Sequence, residues 1–276
     1  MIDRFFTAFR YTVVIVFFSA LMFPFLWIFL SSVKPLTELF GEDAFKYFTA
    51  NPTIAHYISI FVNYPFLRYL WNSFIIATVT TVYSVSISAA AAYAVARFNF
   101  IGKTILLGVV LAIAMFPPIA IISPLYIFLK NVGLTNSYLG LMIPYTTFAI
   151  PFSMWLLVMF FKKVPWTLAE AAKIDGANSW QIFYRIFLPL SLPGIFTTAI
   201  LTFITVWNEF LFALTINTDD RFKTIPVGIA MFQGQYTIPW GEITAVTVVV
   251  TIPLVIMVFL FQKRIISGIT AGAVKE

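Results

Sequence analysis

Few residues in this chain are equipped to make or break a covalent bond. It has no cysteine and a single histidine, His56, which excludes disulfides, thiolate metal sites and imidazole-rich centres. Glu209, in the run VWNEF, is the only carboxylate inside a long apolar segment. With no second acid, histidine or thiol beside it, acid–base or nucleophilic machinery is hard to assemble there. A phosphate-cradling loop is missing as well. There is no G-x-x-x-x-G-K, and the only Gly-Lys pair, Gly102-Lys103, lacks the earlier glycine. The chain is expected to be neither an enzyme nor a metalloprotein, and to hold no cofactor of its own.

The most patterned stretch is EAAKIDGANSWQIFYRIFLPLSLPG, Glu170 to Gly194. Pro165 ends the structure before it, and Thr167 to Glu170 fits a capping box that opens a short helix. Gly176 suits the left-handed residue that closes such a helix just after Asp175. Asn178 or Ser179 starts a second helix, with Gln181 in supporting position. On that helix Ile182, Phe183, Ile186 and Phe187 form an apolar stripe at helical spacing. The first helix is expected to expose alanines, Glu170 and Asp175, while the second presses its stripe onto its own bundle. A smooth small-residue surface with a few charges fits a groove on another protein. A DNA-reading role for this helix-turn-helix is excluded by its shortage of basic residues.

What must hold this elbow is apolar. Of the 276 residues, 61% are hydrophobic and 10% charged, against roughly a quarter charged in soluble domains. Six segments, near 12–32, 70–96, 104–129, 137–160, 189–216 and 243–262, each reach the ~20 residues that span a bilayer as a helix. Alternation with period two, the mark of a membrane barrel, is absent. The expected fold is therefore an all-α membrane bundle over residues 12–264, with lipid as its surroundings. The first apolar run is too long for a secretory signal and ends in SSVKP without a small-x-small cleavage pattern, so it reads as a retained span.

Lys and Arg counts set the expected orientation. With residues 1–11 inside, only Lys34, Lys46, Arg68, Lys130, Arg221 and Lys223 of the 17 basic residues fall outside. Both termini are then cytoplasmic, as are the elbow loop 162–188 and the tail 265–276, while loops 33–69 and 217–242 face outward. The latter suits a partner or serves as a plain connector, and the former suits short surface helices. Pro117, Pro118, Pro124, Pro144, Pro151 and Pro253 each remove an amide donor and tend to kink a helix. Glu209 falls about 30 Å along its helix at 1.5 Å per residue, near the outer interface. There it meets water or caps a loop, or with Asn208 it lines a pathway.

The run Glu170-Ala171-Ala172, then Gly176, then Ile186-x-Leu188-Pro189 resembles the EAA signature of permease subunits in binding-protein-dependent ABC importers. NSFIIATVTTVYSVSISAAAAYAVARFNFIGK, WNEFLFAL and the ending SGITAGAVKE look like the carbohydrate branch, the MalG-type permease of maltose-type transporters. The resemblance covers most of the chain. It implies a six-span type I importer bundle in a prokaryotic inner membrane, with Glu170, Ala171, Ala172, Asp175, Gly176 and Ala177 in a coupling helix docked on an ATPase subunit. Gly268, Thr270, Gly272 and Lys275 would form a second ATPase contact. It further implies a second permease subunit (a heterodimer), two ATPase subunits that bind ATP and Mg, an extracytoplasmic solute-binding protein facing loop 217–242, and no nucleic acid. The capping box alone would also explain Glu170, and a frayed end the tail. An ion-coupled secondary transporter is the rival reading, disfavoured by the lack of a repeat or a midplane acid. Within the family, glycerol phosphate is a rival solute.

Overall fold

The computed structural model describes the backbone of residues 2–40, 44–232 and 238–273, and side chains within 6–7, 9–40, 44–232 and 238–263. The described residues are helical, with no strand, because helices satisfy every backbone amide without an outside partner. Among the described residues, four helices are long and apolar enough to cross a membrane. They lie in α1 (Ile2–Ser32), α4 (Phe66–Arg97), α7 (Tyr138–Lys163) and α14 (Trp240–Ala273). Two short helices, α2 (Leu36–Phe40) and α3 (Ala55–Val62), occupy the first long loop.

Two segments read from the sequence as continuous, 104–129 and 189–216, are broken. In the first, α5 (Lys103–Met115) meets α6 (Pro118–Asn131) at 92°. The cause is the proline pair. A residue before proline is pushed out of the α region, so Phe116 (φ −73°, ψ 128°) and Pro117 (φ −68°, ψ 122°) are both extended. The isolated prolines Pro24, Pro124, Pro144, Pro151 and Pro253 sit inside helices that continue past them. In the second, the helical run Ser179–Leu190 bends by 75° into α11 (Leu192–Trp207), and α12 (Leu211–Ile216) follows after a gap at 208–210. Among the described residues the span count is thus four, or up to six with each bent pair taken as one.

The chain divides into two compact units, residues 1–67 with 228–253, and residues 68–227 with 254–276. In the first, α3 is tied in by His56, whose Nε2 lies 2.9 Å from the Lys34 carbonyl and whose Nδ1 lies 3.7 Å from Glu242. Lys34, 1% exposed, donates from Nζ to the Ala44 and Lys46 carbonyls at 3.0 and 2.5 Å. A buried ammonium is tolerated only when so satisfied. In the second unit, α11 packs along α7, and α12 lies against α6 and α7. Its core runs from Ala89 and Tyr93 on α4 through Leu157 and Phe161 on α7 to Phe183 and Phe187. Ser153 on α7 and Thr202 on α11 share a buried hydrogen bond of 3.0 Å, a join that needs no charge.

Candidate functional site

The elbow is built much as the residues indicate. Helix α8 (Trp166–Ile174) ends at Asp175, and Gly176 takes φ +85°. The Ala177 amide donates to Ala172 at 2.8 Å and the Gly176 amide to Lys173 at 3.0 Å. This paired return is the Schellman closure. Asn178 then opens α9 (Ser179–Ile182) with a reciprocal capping box: the Gln181 amide donates to Asn178 Oδ1 and the Asn178 amide to Gln181 Oε1, both at 2.9 Å. The chain continues through a π turn, Phe183–Phe187, into α10 (Leu188–Leu190). Ile182, Phe183 and Phe187 are buried and Ile186 packs against the same core.

One capping box does not form. Helix α8 begins at Trp166, with Pro165 as its cap and no side-chain cap bond. Thr167 therefore lies inside the first turn, where it cannot cap, and Glu170 is exposed without that role. The proline sets the start two residues earlier than the Thr167 pattern implies. The alanines also differ among themselves. Ala171 is exposed, Ala172 and Ala177 pack partly against the core, and Ala169 is fully buried. Beside Glu170 and Asp175, the outer face carries Ile174 at 88% exposure, an apolar projection that composition alone does not reveal.

A residue that no motif singles out anchors this elbow. Arg97, at the end of α4, donates through its guanidinium to the Phe161 and Val164 carbonyls. It also lies over the Phe187 ring at 4.6 Å and the Trp166 ring at 5.7 Å, favourable cation–π contacts. The end of α7 and both helices of the elbow thus share one cation. Lys173 covers Trp166 as well, at 5.0 Å.

Glu209 lies in the gap between α11 and α12. Its Oε1 accepts the Phe212 amide at 3.0 Å, its Oε2 the Ala213 amide at 3.3 Å, and the Tyr145 hydroxyl donates to Oε2. A carboxylate at a helix start satisfies orphan amides and meets the favourable end of the dipole, and Glu209 stands in that position at the start of α12. The same carboxylate lines a cavity of about 440 Å³ with Tyr145, Phe148, Phe152, Thr205 and Phe212. Asn208 is exposed and donates to the Ile204 carbonyl at 2.8 Å; it is not among the cavity residues.

Residues 217–224 of the second long loop are held by two buried asparagines. Asn72 donates to the Arg221 and Lys223 carbonyls at 3.0 and 2.8 Å and accepts from the Tyr138 hydroxyl. Asn217 exchanges hydrogen bonds with the Ser137 backbone, both at 3.2 Å. Arg221 grips Asp219 through side chain and backbone amide, which lowers the Asp219 carboxyl to about 2. Helix α13 (Ile225–Ala230) follows. In the tail, the backbone of Gly268, Thr270 and Gly272 continues α14; their side chains, and Lys275 altogether, lie outside the described residues.

Residues 84–270 match the family described as binding-protein-dependent transport system inner membrane component. The chain is 44% identical over 257 residues to the trehalose/maltose transport system permease protein MalG of Thermococcus litoralis, covering 92% of this chain and 91% of the relative. It is 43% identical over 256 residues to the trehalose transport system permease protein SugB of Mycobacterium tuberculosis, covering 92% of each. A solved bacterial ABC transporter involved in the import of the acidic polysaccharide alginate has a chain of the same fold. Its TM-score is 0.78 at 19% identity, covering 95% of this chain and 96% of that one.

Proposed function

This chain belongs to the family of binding-protein-dependent transport system inner membrane components, and we propose that it forms one permease half of an ATP-driven importer of a sugar or oligosaccharide of the trehalose or maltose kind. It is a transport subunit and not an enzyme. ATP and Mg bind on two ATPase subunits, a second and different permease subunit completes the pathway, and a solute-binding protein delivers sugar at loop 217–242. Both termini lie in the cytoplasm, in keeping with the bias of Lys and Arg.

The observation that carries this reading is the elbow. Between two membrane-crossing segments it supplies a short helix closed at Gly176, restarted at Asn178 and held by Arg97. A stiff projection fixed at both ends converts a push on its outer face into motion of the helices behind it. Glu170, Ala171, Ala172, Asp175, Gly176 and Ala177 form the face that an ATPase subunit grips, and Gly268, Thr270, Gly272 and Lys275 a second contact. ATP and the loaded binding protein bias the two pathway states because each binds one of them better.

The chain has no cysteine, so a single introduced thiol is unambiguous. Ala171→Cys, in the assembled complex, is expected to cross-link to a cysteine placed in the ATPase surface groove within a few ångströms' reach. An assembled, active complex in which no groove position cross-links to Cys at 171 contradicts the coupling role.

A further inference from the structure

A cavity separate from the one lined by Glu209 lies at the corner where the elbow turns into α11. We propose that it binds the phosphate of an anionic membrane phospholipid through Lys163 and Ser191, with the glycerol and upper acyl chain against its apolar walls. This goes beyond the importer reading, since the ligand is a lipid and not a transported solute. It rests only on the chain's place in a membrane.

The cavity measures about 400 Å³ and lies between the end of α7, the start of α8 and the first turn of α11. That is within the roughly 300–1,000 Å³ of small-molecule sites. Phe160, Leu168, Leu190 and Pro193 give it largely apolar walls, and among the described residues no acid lines it. Lys163, exposed in the last turn of α7, brings a positive charge. Among the described residues nothing pairs with its ammonium.

Ser191 is the independent sign of a polar ligand. It lines the same cavity and is 3% exposed, and among the described residues its hydroxyl has no hydrogen-bond partner. A serine ahead of a helix ordinarily accepts from the second or third amide of that helix. Here the second residue is Pro193, which has no amide, and no cap bond forms to Gly194 either. A buried hydroxyl left in this state is costly unless something else takes it up. The first turn of α11 borders the cavity through Pro193 and Gly194, and a helix start favours negative charge.

An ammonium, a spare hydroxyl and a helix start around one space suit a phosphate. Basic pockets between membrane helices bind anionic headgroups for this reason. A free phosphate would leave Phe160, Leu168 and Leu190 facing water, whereas a lipid covers them. Shared by Lys163 and Ser191, the phosphate joins the end of α7 to the 75° corner at which α11 begins.

The probe for this site stands beside the cavity and not in it. Thr167 is exposed, precedes Leu168 and does not line the space. The chain has no cysteine, so Thr167→Cys carries a single bimane fluorophore in an assembled complex whose partner subunits are freed of cysteine. The complex is held in detergent with phospholipids bearing a nitroxide high on the acyl chain. Phosphatidylglycerol is expected to reach half-maximal quenching at a mole fraction about fivefold below phosphatidylcholine, the effect of one lysine near an anionic lipid. Lys163→Gln should abolish that preference and Lys163→Arg keep it. Lys162→Gln, outside the cavity lining, should also keep it. Equal quenching by the two lipids, as great a loss with Lys162→Gln as with Lys163→Gln, or loss with Lys163→Arg overturns the site. Excess inorganic phosphate at constant ionic strength should leave the quenching unchanged; if it relieves the quenching, a free anion is the occupant and the lipid is overturned. Quenching does not depend on transport, so the result stands whether or not the assembly takes up a sugar.

Discussion

Gly194, in the first turn of α11, lies so close to Phe160 of α7 that a β-carbon on it would fall 2.2 Å from the ring. The aromatic ring occupies the space a side chain would fill, which brings the backbone of α11 against α7 just after the elbow. Small residues permit such approach between membrane helices. Gly194→Ala is therefore expected to lower the melting temperature of the purified complex, at a cost of about 1–3 kcal/mol for overpacking. Adding Phe160→Ala to the same chain should recover part of the loss. Unchanged melting of the single variant would show that the two helices separate easily.

At Gly176 the constraint is conformational, since a β-carbon there meets nothing within 4 Å but φ is +85°. Asn tolerates the left-handed region and a β-branched residue does not. Gly176→Val should insert and assemble normally yet lose at least half of its sugar uptake per ATP hydrolysed, whereas Gly176→Asn should stay near wild type. The ratio of uptake to phosphate release, measured in vesicles, distinguishes this from a loss of assembly.

Arg97 joins two carbonyls of the α7 end to two rings of the elbow through one planar cation. A lysine ammonium can donate to carbonyls but has no planar face to lie over the two rings. Hydrogen bonds to a charged group are each worth about 1.5–3 kcal/mol, so both Arg97→Lys and Arg97→Ala are expected to weaken coupling, with alanine the more severe. Faster amide exchange across 164–176 in both variants would accompany it, and exchange at the wild-type rate would count against the anchor.

In the loop that follows α12, Arg221 holds the Asp219 carboxyl down from its usual 3.8 to about 2, chiefly through side-chain and backbone hydrogen bonds. A depressed carboxylate contributes stability in full above its unfolded pKa and loses it as pH falls through the folded value. The turn at 219–221 should thus keep its protection from amide exchange down to about pH 4 and lose it between there and about pH 2. Arg221→Gln should move the Asp219 titration back toward the ordinary carboxylate range, read by carboxyl-selective NMR.

Much of this was legible in the residues because it is local. Gly176 specifies its own φ, Asn178 and Gln181 specify their reciprocal bonds, and the stripe from Ile182 to Phe187 specifies its buried face. The 92° corner was less so, since Pro117 and Pro118 announce a kink but not its angle. Thr167 misled because its pattern competes with Pro165, and the proline's preference for the helix start wins. Arg97, Gly194 and the Glu209–Tyr145 bond were hidden for a common reason: each partner lies far off in sequence and is brought near only by packing. Glu209 showed in the sequence as a lone acid, but the amides it caps exist only once α11 breaks at Asn208.

The most direct measurement is sugar accumulation in sealed proteoliposomes, made with this chain alone and with its permease partner, ATPase subunits and binding protein. The account predicts uphill uptake of trehalose or maltose only in the complete set and only with ATP. Concentration of the sugar by this chain alone, or by the full set without ATP, would contradict it.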